Sequence, residues 1–211
     1  MMGKITALTI QKRNPNRVSV FIDDEFAFGL AAITAVSLKV GQTLTAADIE
    51  TIHKADELEN AKQSAIHFIE YRPRSITEVR RNLKKKGFDE TAIETALTRL
   101  QEIGLLDDVA FANYWVEQRE TFKPRSQMAL RQELMQKGVD RAIIDEAIRM
   151  VDEEAAARKA AEKKLYSWRN LPEDQFKKKA NSFLQRKGFS YSITKEITDE
   201  LWEEISSEQQ T

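Results

Sequence analysis

The sequence predicts a mainly α-helical protein: three tandem three-helix-bundle repeats in an elongated array, behind a small N-terminal β-meander. Three observations predict it. Helix breakers are scarce, with 7 Gly and 4 Pro among 211 residues, and a chain poor in both favours helix. The phrase RPRSITEVRRNLKKKGFD at 72–89 returns 51 positions later as KPRSQMALRQELMQKGVD at 123–140. Only the first 43 residues carry β-branched, partly alternating stretches.

In chain order, KITALTI and RVSVFID are strands, with turn-prone NPN between them and DDE after the second. FAFGL adds a third short strand. Thr45 then caps a short helix starting at AADIETI, where Ile49 and Ile52 share a face. This head covers 1–56. Beyond it the punctuation is regular: Pro73, Pro124 and Pro172 are followed by Gly87, Gly138 and Gly188. Proline biases the residue before it away from helix, and glycine suits a helix C-terminus. Each pair therefore frames one helix of about three turns, with a longer helix before it and another after it. The modules are 57–106, 107–153 and 154–211, the last degenerate around its proline and ending in an acidic tail.

The register supports repetition. A shift of 51 carries Arg74 to Arg125, Ser75 to Ser126, Val79 to Leu130, Arg80 to Arg131, Leu83 to Leu134 and Gly87 to Gly138. It continues into the next helix, with Ile93 on Ile144, Leu97 on Ile148 and Leu100 on Val151. A further shift of about 50 takes Leu134 to Leu184, Gly138 to Gly188 and Val151 to Leu201. A unit this small has a marginal core alone and gains stability from its neighbours. Such an array offers a long surface, not a deep pocket.

The formal net charge of -1 hides a sorting of charge. Residues 72–87 carry a net +6, 123–138 a net +3 and 169–188 a net +4, while 196–211 hold six acids and no base. In the first copy Ser75 opens a capping box with Glu78. Ile76, Val79 and Leu83 then share a stripe, leaving the basic residues outside. The candidate track for an acidic partner or for phosphates is Arg72, Arg74, Arg80, Arg81, Lys84, Lys85, Lys123, Arg125, Arg131, Lys177 and Lys178. Against it stands the plainer reading that Lys and Arg near a helix C-terminus complement the macrodipole and keep the surface wet. If the track is a binding surface, reversing Arg80, Arg81, Lys84 and Lys85 to Glu leaves folding intact and weakens partner binding. Two other classes remain: a helix-turn-helix-like DNA-binding regulator, which needs base-reading side chains on a recognition helix, and a scaffold with no nucleic acid nearby.

Chemistry is sparse. There is no Cys, hence no disulfide and no thiolate, and the two His, His53 and His67, are not in metal-ligand spacing. Asp107-Asp108 reads as a helix N-cap before VAFANYW. Trp115 and Trp168 read as core residues on the first helices of the second and third modules. No nucleophile elbow, P-loop or dinucleotide fingerprint occurs. We expect no enzyme, no metal and no cofactor. No apolar run is long enough for a bilayer, and a cytoplasmic monomer is expected.

GLLDDVAFANYWVEQR followed by KPRSQMALRQELMQKGV resembles the RecX family of recombination regulators, as does RPRSITEVRRNLKKKGF. SVFIDDEFAFGL and LKVGQTLTAADIETI look like that family's N-terminal region, and the likeness covers most of 5–155. The resemblance implies a three-helix-repeat protein that binds the RecA recombinase along the groove of its filament on single-stranded DNA. There it would restrain strand exchange and ATP hydrolysis in recombination, DNA repair and the SOS response, with single- or double-stranded DNA a further candidate partner through backbone contacts. No family catalytic residue exists to carry over. The last module departs from the phrase: FKKKANSFLQRKGF lacks the P-R-S entry.

Overall fold

The computed structural model describes residues 3–208. The chain divides into two compact units between Leu106 and Asp107.

The first unit opens with β1 (Gly3–Gln11), β2 (Asn14–Ile22) and β3 (Glu25–Ala31) as an antiparallel meander. A fourth strand, β4 (Thr43–Leu44), pairs with the free edge of β1, so the order is β3-β2-β1-β4. Ile5, Val18, Val20 and Leu30 line its buried face. Asp23 and Asp24 form the β2–β3 turn with φ of 50° and 70°, a left-handed pair that Asp tolerates and that matches strand twist. NPN, expected as a turn, lies inside β2; the reversal is made by Lys12–Arg13. Pro15 fits because the β1–β2 register slips there and β2 pairs with β3 only from Arg17 onward, so no ladder bond needs its missing N–H.

The separate short head helix is also corrected. After the brief α1 (Ala32–Ala35), a single helix α2 runs from Ala46 to Glu70. Thr45 caps it as expected, in a capping box with Asp48. The helix passes residue 56 unbroken because no Gly or Pro occurs between 46 and 70 to stop it. Its first half lays Ile49 and Ile52 on the head core. Its second half joins Ala65, Ile66 and Ile69 to the core of α3 (Ile76–Lys85) and α4 (Glu90–Glu102). The buried Asp56 pins the head to this helix: its carboxylate accepts the Ala31 N–H at 2.5 Å and the Asn60 amide at 2.9 Å.

Among the described residues the second unit holds six helices: α5 (Asp108–Phe122), α6 (Gln127–Gln136), α7 (Arg141–Ile148), α8 (Glu153–Leu165), α9 (Glu173–Arg186) and α10 (Tyr191–Glu208). Two cores form within it. One gathers Phe111, Val116, Leu130, Leu134, Ile144 and Ile148; the other is built around Phe176, Leu184 and Leu201. Asp107 caps α5, its carboxylate accepting the N–H groups of Val109 and Ala110.

The repeated phrase proves to be a helix frame. Ser75 and Ser126, both buried, cap α3 and α6 by accepting the N–H of Glu78 and Ala129 at 3.1 Å. At the other end Gly87, Gly138 and Gly188 sit at φ of 86°, 76° and 95°. Past each glycine the chain bonds back to a buried leucine: Phe88 to Leu83, Val139 to Leu134 and Phe189 to Leu184. This is the left-handed closure that glycine permits. The third copy departs at its start. Pro172 begins α9 without a side-chain cap, the helix starts earlier in the repeat, and fully buried Phe176 stands where Ser75 and Ser126 stand in the others. Trp168 is core, packed on Phe176 and Phe183, yet it lies beyond α8, not on it. The helix stops short because Ser167 turns its hydroxyl onto the Lys164 carbonyl at 2.7 Å, a local bond that competes with helix.

Candidate functional site

The structure places some cations of the expected basic track in ion pairs or against a ring and leaves others exposed at the surface. Arg72 reaches Glu78 at 2.9 Å. Arg74 lies over the Phe68 ring, 4.1 Å from its centroid, and 4.0 Å from Glu78. Burial, then the Arg72 charge, lowers the pKa of Arg74. Arg80 binds Glu94 with two bonds, and Lys84 meets Glu90 at 3.1 Å. Arg131 pairs with Asp145. Lys177 bridges Glu173 and Asp199 at 2.9 and 2.8 Å, and hydrogen bonds to Asp199 and then Glu173 push its pKa up. These residues join helices within each module. Arg80–Glu94 and Arg131–Asp145 are the same pair one repeat apart, which the 51-residue shift already contained, although only the arginines stood out in the sequence. Reversing Arg80, Arg81, Lys84 and Lys85 to Glu would set two of the four against Glu94 and Glu90 as like charges, a cost in stability that the sequence reading did not include.

Arg81, Lys85, Lys123 and Lys178 are exposed. Arg125 is half-buried, 3.6 Å from Glu133. Glu133 is already engaged, accepting the Trp115 indole N–H at 2.8 Å and the Arg119 guanidinium at 2.7 Å.

Around Lys123 and Arg125 the structure gathers cations that the sequence reading did not select. Lys163 of α8 donates to the carbonyls of Thr121 and Phe122 at 3.1 and 3.0 Å. Lys187, after α9, donates to the Pro124 carbonyl at 3.4 Å, and Arg125 to that of Arg186 at 3.5 Å. The Ser126 N–H donates to the Lys187 carbonyl at 3.3 Å. The only available signal was the Lys-Gly pair closing each copy, at 86–87, 137–138 and 187–188. Burial holds the Lys187 pKa down, helped by the charges of Arg125, Lys163, Lys164 and Lys123. The same junction seats Gly188 on the α6 cap: a Cβ there would strike Ser126 Oγ and stand 2.9 Å from Ala129 Cβ.

The histidines are placed without a metal-like cluster. His53 packs edge-on against Phe28, 4.8 Å between ring centroids, and His67 lies against Glu70 and Tyr71. Among the described residues no three His, Cys, Asp or Glu converge as for a metal ion, and no helix is long and apolar enough to cross a membrane.

Four family models match this chain in order. They are the regulatory protein RecX N-terminal domain at 3–45 and the first, second and third RecX three-helix domains at 61–100, 107–148 and 152–198. The chain belongs to the RecX family. The regulatory protein RecX of Clostridium botulinum (strain Eklund 17B / Type B) is 35% identical over 206 residues, covering 94% of this chain and 96% of its own. That of Bacillus subtilis (strain 168) is 34% identical over 205 residues, 95% of this chain and 78% of its own. A solved structure described as a crystal structure of regulatory protein RecX superposes with a TM-score of 0.73 at 28% identity, covering 93% of this chain and 99% of that one. The likeness thus extends past residue 155 into the module whose opening phrase is altered: the third RecX domain accommodates Pro172 and Phe176 in place of the P-R-S entry.

Proposed function

We propose that this chain regulates homologous recombination and DNA repair by binding a RecA-type recombinase on its nucleoprotein filament, chiefly inhibiting ATP hydrolysis and strand exchange. The observation that carries this reading is the unbroken series of four RecX domains along the chain. The surface agrees with it. After ion pairing, each module still presents an exposed lysine from the expected track: Lys85, Lys123 and Lys178. Several modest contacts repeated along a polymer add through effective concentration, so no single module needs a deep pocket. Against the helix-turn-helix alternative stands the use of Arg80, Lys84, Arg131 and Lys177 as intramodule ion pairs, which withdraws them from base edges.

The test is RecA-catalysed ATP hydrolysis on single-stranded DNA with the purified chain added. Hydrolysis is expected to fall as the chain approaches stoichiometry with RecA. An unchanged rate at equimolar chain sinks the reading.

A further inference from the structure

Many of the protein's cations pair with acids, Arg80, Lys84, Arg131 and Lys177 among them; at one place in the second unit cations gather on one another instead. Within reach of the 121–125 segment lie Lys123, Arg125, Lys163, Lys164 and Lys187. Among the described residues only Arg125 has a carboxylate within 4.0 Å, and that is Glu133, already shared with Trp115 and Arg119. The Arg125 Nε faces Glu133 Oε1 at 3.6 Å, too far for a hydrogen bond, and makes none among the described residues. Lys163 and Lys187 cap carbonyls at the end of α5 and just beyond it, a role that favours cations there. That role does not account for Lys123 and Lys164, which are exposed and whose ammonium groups bond to no side chain among the described residues. Phe122, whose carbonyl holds Lys163, leaves its own side chain 63% exposed.

We propose that this junction of α5, α8 and the end of α9 is a binding site for single-stranded nucleic acid, with backbone phosphates on Lys123, Arg125, Lys163, Lys164 and Lys187 and a base stacked on Phe122. Like charges gathered this closely repel one another, and an anion relieves that repulsion. The lowered pKa of Lys187 records the same crowding. An exposed aromatic beside a basic groove is how sequence-blind single-strand sites are built, and a duplex offers no free base face to stack. An acidic protein surface would use the cations and leave the ring without a task. The site goes beyond the filament reading and does not need the recombinase.

The experiment uses the full chain and a fluorescent oligothymidylate, with anisotropy followed over a range of salt. Lys123→Ala/Lys164→Ala should weaken binding about tenfold at low salt and flatten the slope of log K against log salt by about 1.4, two single-strand phosphate contacts. Phe122→Ala should weaken binding about fivefold or more with the slope kept, and Phe122→Trp should restore it. Lys12→Ala/Lys195→Ala, removing equal charge from exposed sites on β1's turn and α10, should stay within about twofold. Unchanged affinity in the first variant overturns the site, as does an equal loss in the control. Insensitivity to Phe122 together with equally tight binding of polyglutamate also overturns it, in favour of an acidic protein. Because the assay holds no recombinase, any of these results leaves the filament reading standing.

Discussion

The Arg80 guanidinium grips Glu94 with two bonds, Nε to Oε1 at 2.7 Å and Nη2 to Oε2 at 2.9 Å, tying α3 to α4. Arg131 and Asp145 repeat the tie between α6 and α7. Both pairs are partly exposed, so each contributes on the order of 0.2–1 kcal/mol after solvent screening. Arg80→Ala should lower the unfolding free energy read from urea denaturation by that amount, and the combined reversal of Arg80, Arg81, Lys84 and Lys85 to Glu should lower it further. Lys85→Glu alone, at an exposed lysine with no ion pair, should leave it within about 0.5 kcal/mol. Equal midpoints for wild type and the fourfold reversal would show that the ion pairs do not hold the module.

The same pair predicts a pH dependence. The hydrogen bond from Arg80 holds the Glu94 carboxyl below its ordinary value, with burial opposing and the Arg80 charge assisting. A depressed carboxylate pKa contributes stability above the unfolded value of about 4.3 and loses it as pH falls through the folded value. The difference in urea midpoint between wild type and Arg80→Ala should therefore be present at neutral pH and shrink below about pH 4. A difference that grows on acidification contradicts the assignment.

Gly188 and Gly87 share a left-handed conformation, at φ of 95° and 86°, but differ in surroundings. A Cβ on Gly87 meets nothing within 4 Å, whereas one on Gly188 collides with Ser126 Oγ and Ala129. Gly87→Ala should cost about 1–2 kcal/mol for the backbone alone. Gly188→Ala should cost roughly 1–3 kcal/mol more, from overpacking. Equal losses in urea denaturation would mean that the turn after α9 does not seat on the α6 cap.

Thr198 is fully buried, and its hydroxyl has no hydrogen-bond partner among the described residues. At its position in the earlier copies stand Leu97 and Ile148, both buried. An unsatisfied buried hydroxyl costs about 1–3 kcal/mol. Thr198→Val keeps the shape and should raise the thermal midpoint; a lower midpoint would show that the hydroxyl is satisfied in solution.

Much of the frame was legible because it is written in local chemistry. Pro73, Ser75, Leu83 and Gly87 each act within a turn or two of themselves, and their counterparts at 124, 126, 134 and 138 do the same. Thr45 and Asp107 caps follow the same logic. The errors arose where local signals compete with longer ones. NPN favours a turn by composition, but a register slip absorbs Pro15 inside β2. The head helix looked short because its apolar face changes partner along α2, from the sheet to the first module, while no breaker divides it.

The basic residues mark the limit. Sequence by itself determined that cations recur at fixed positions of each copy, since composition and register are one-dimensional. Which of them stay available was decided only by tertiary structure, because an ion pair needs its acid at bonding distance whatever the separation along the chain. Arg80 looked like surface and finds Glu94 fourteen residues on. Lys163 and Lys187 were not selected from the sequence, and folding brings them to the segment that holds Lys123 and Arg125.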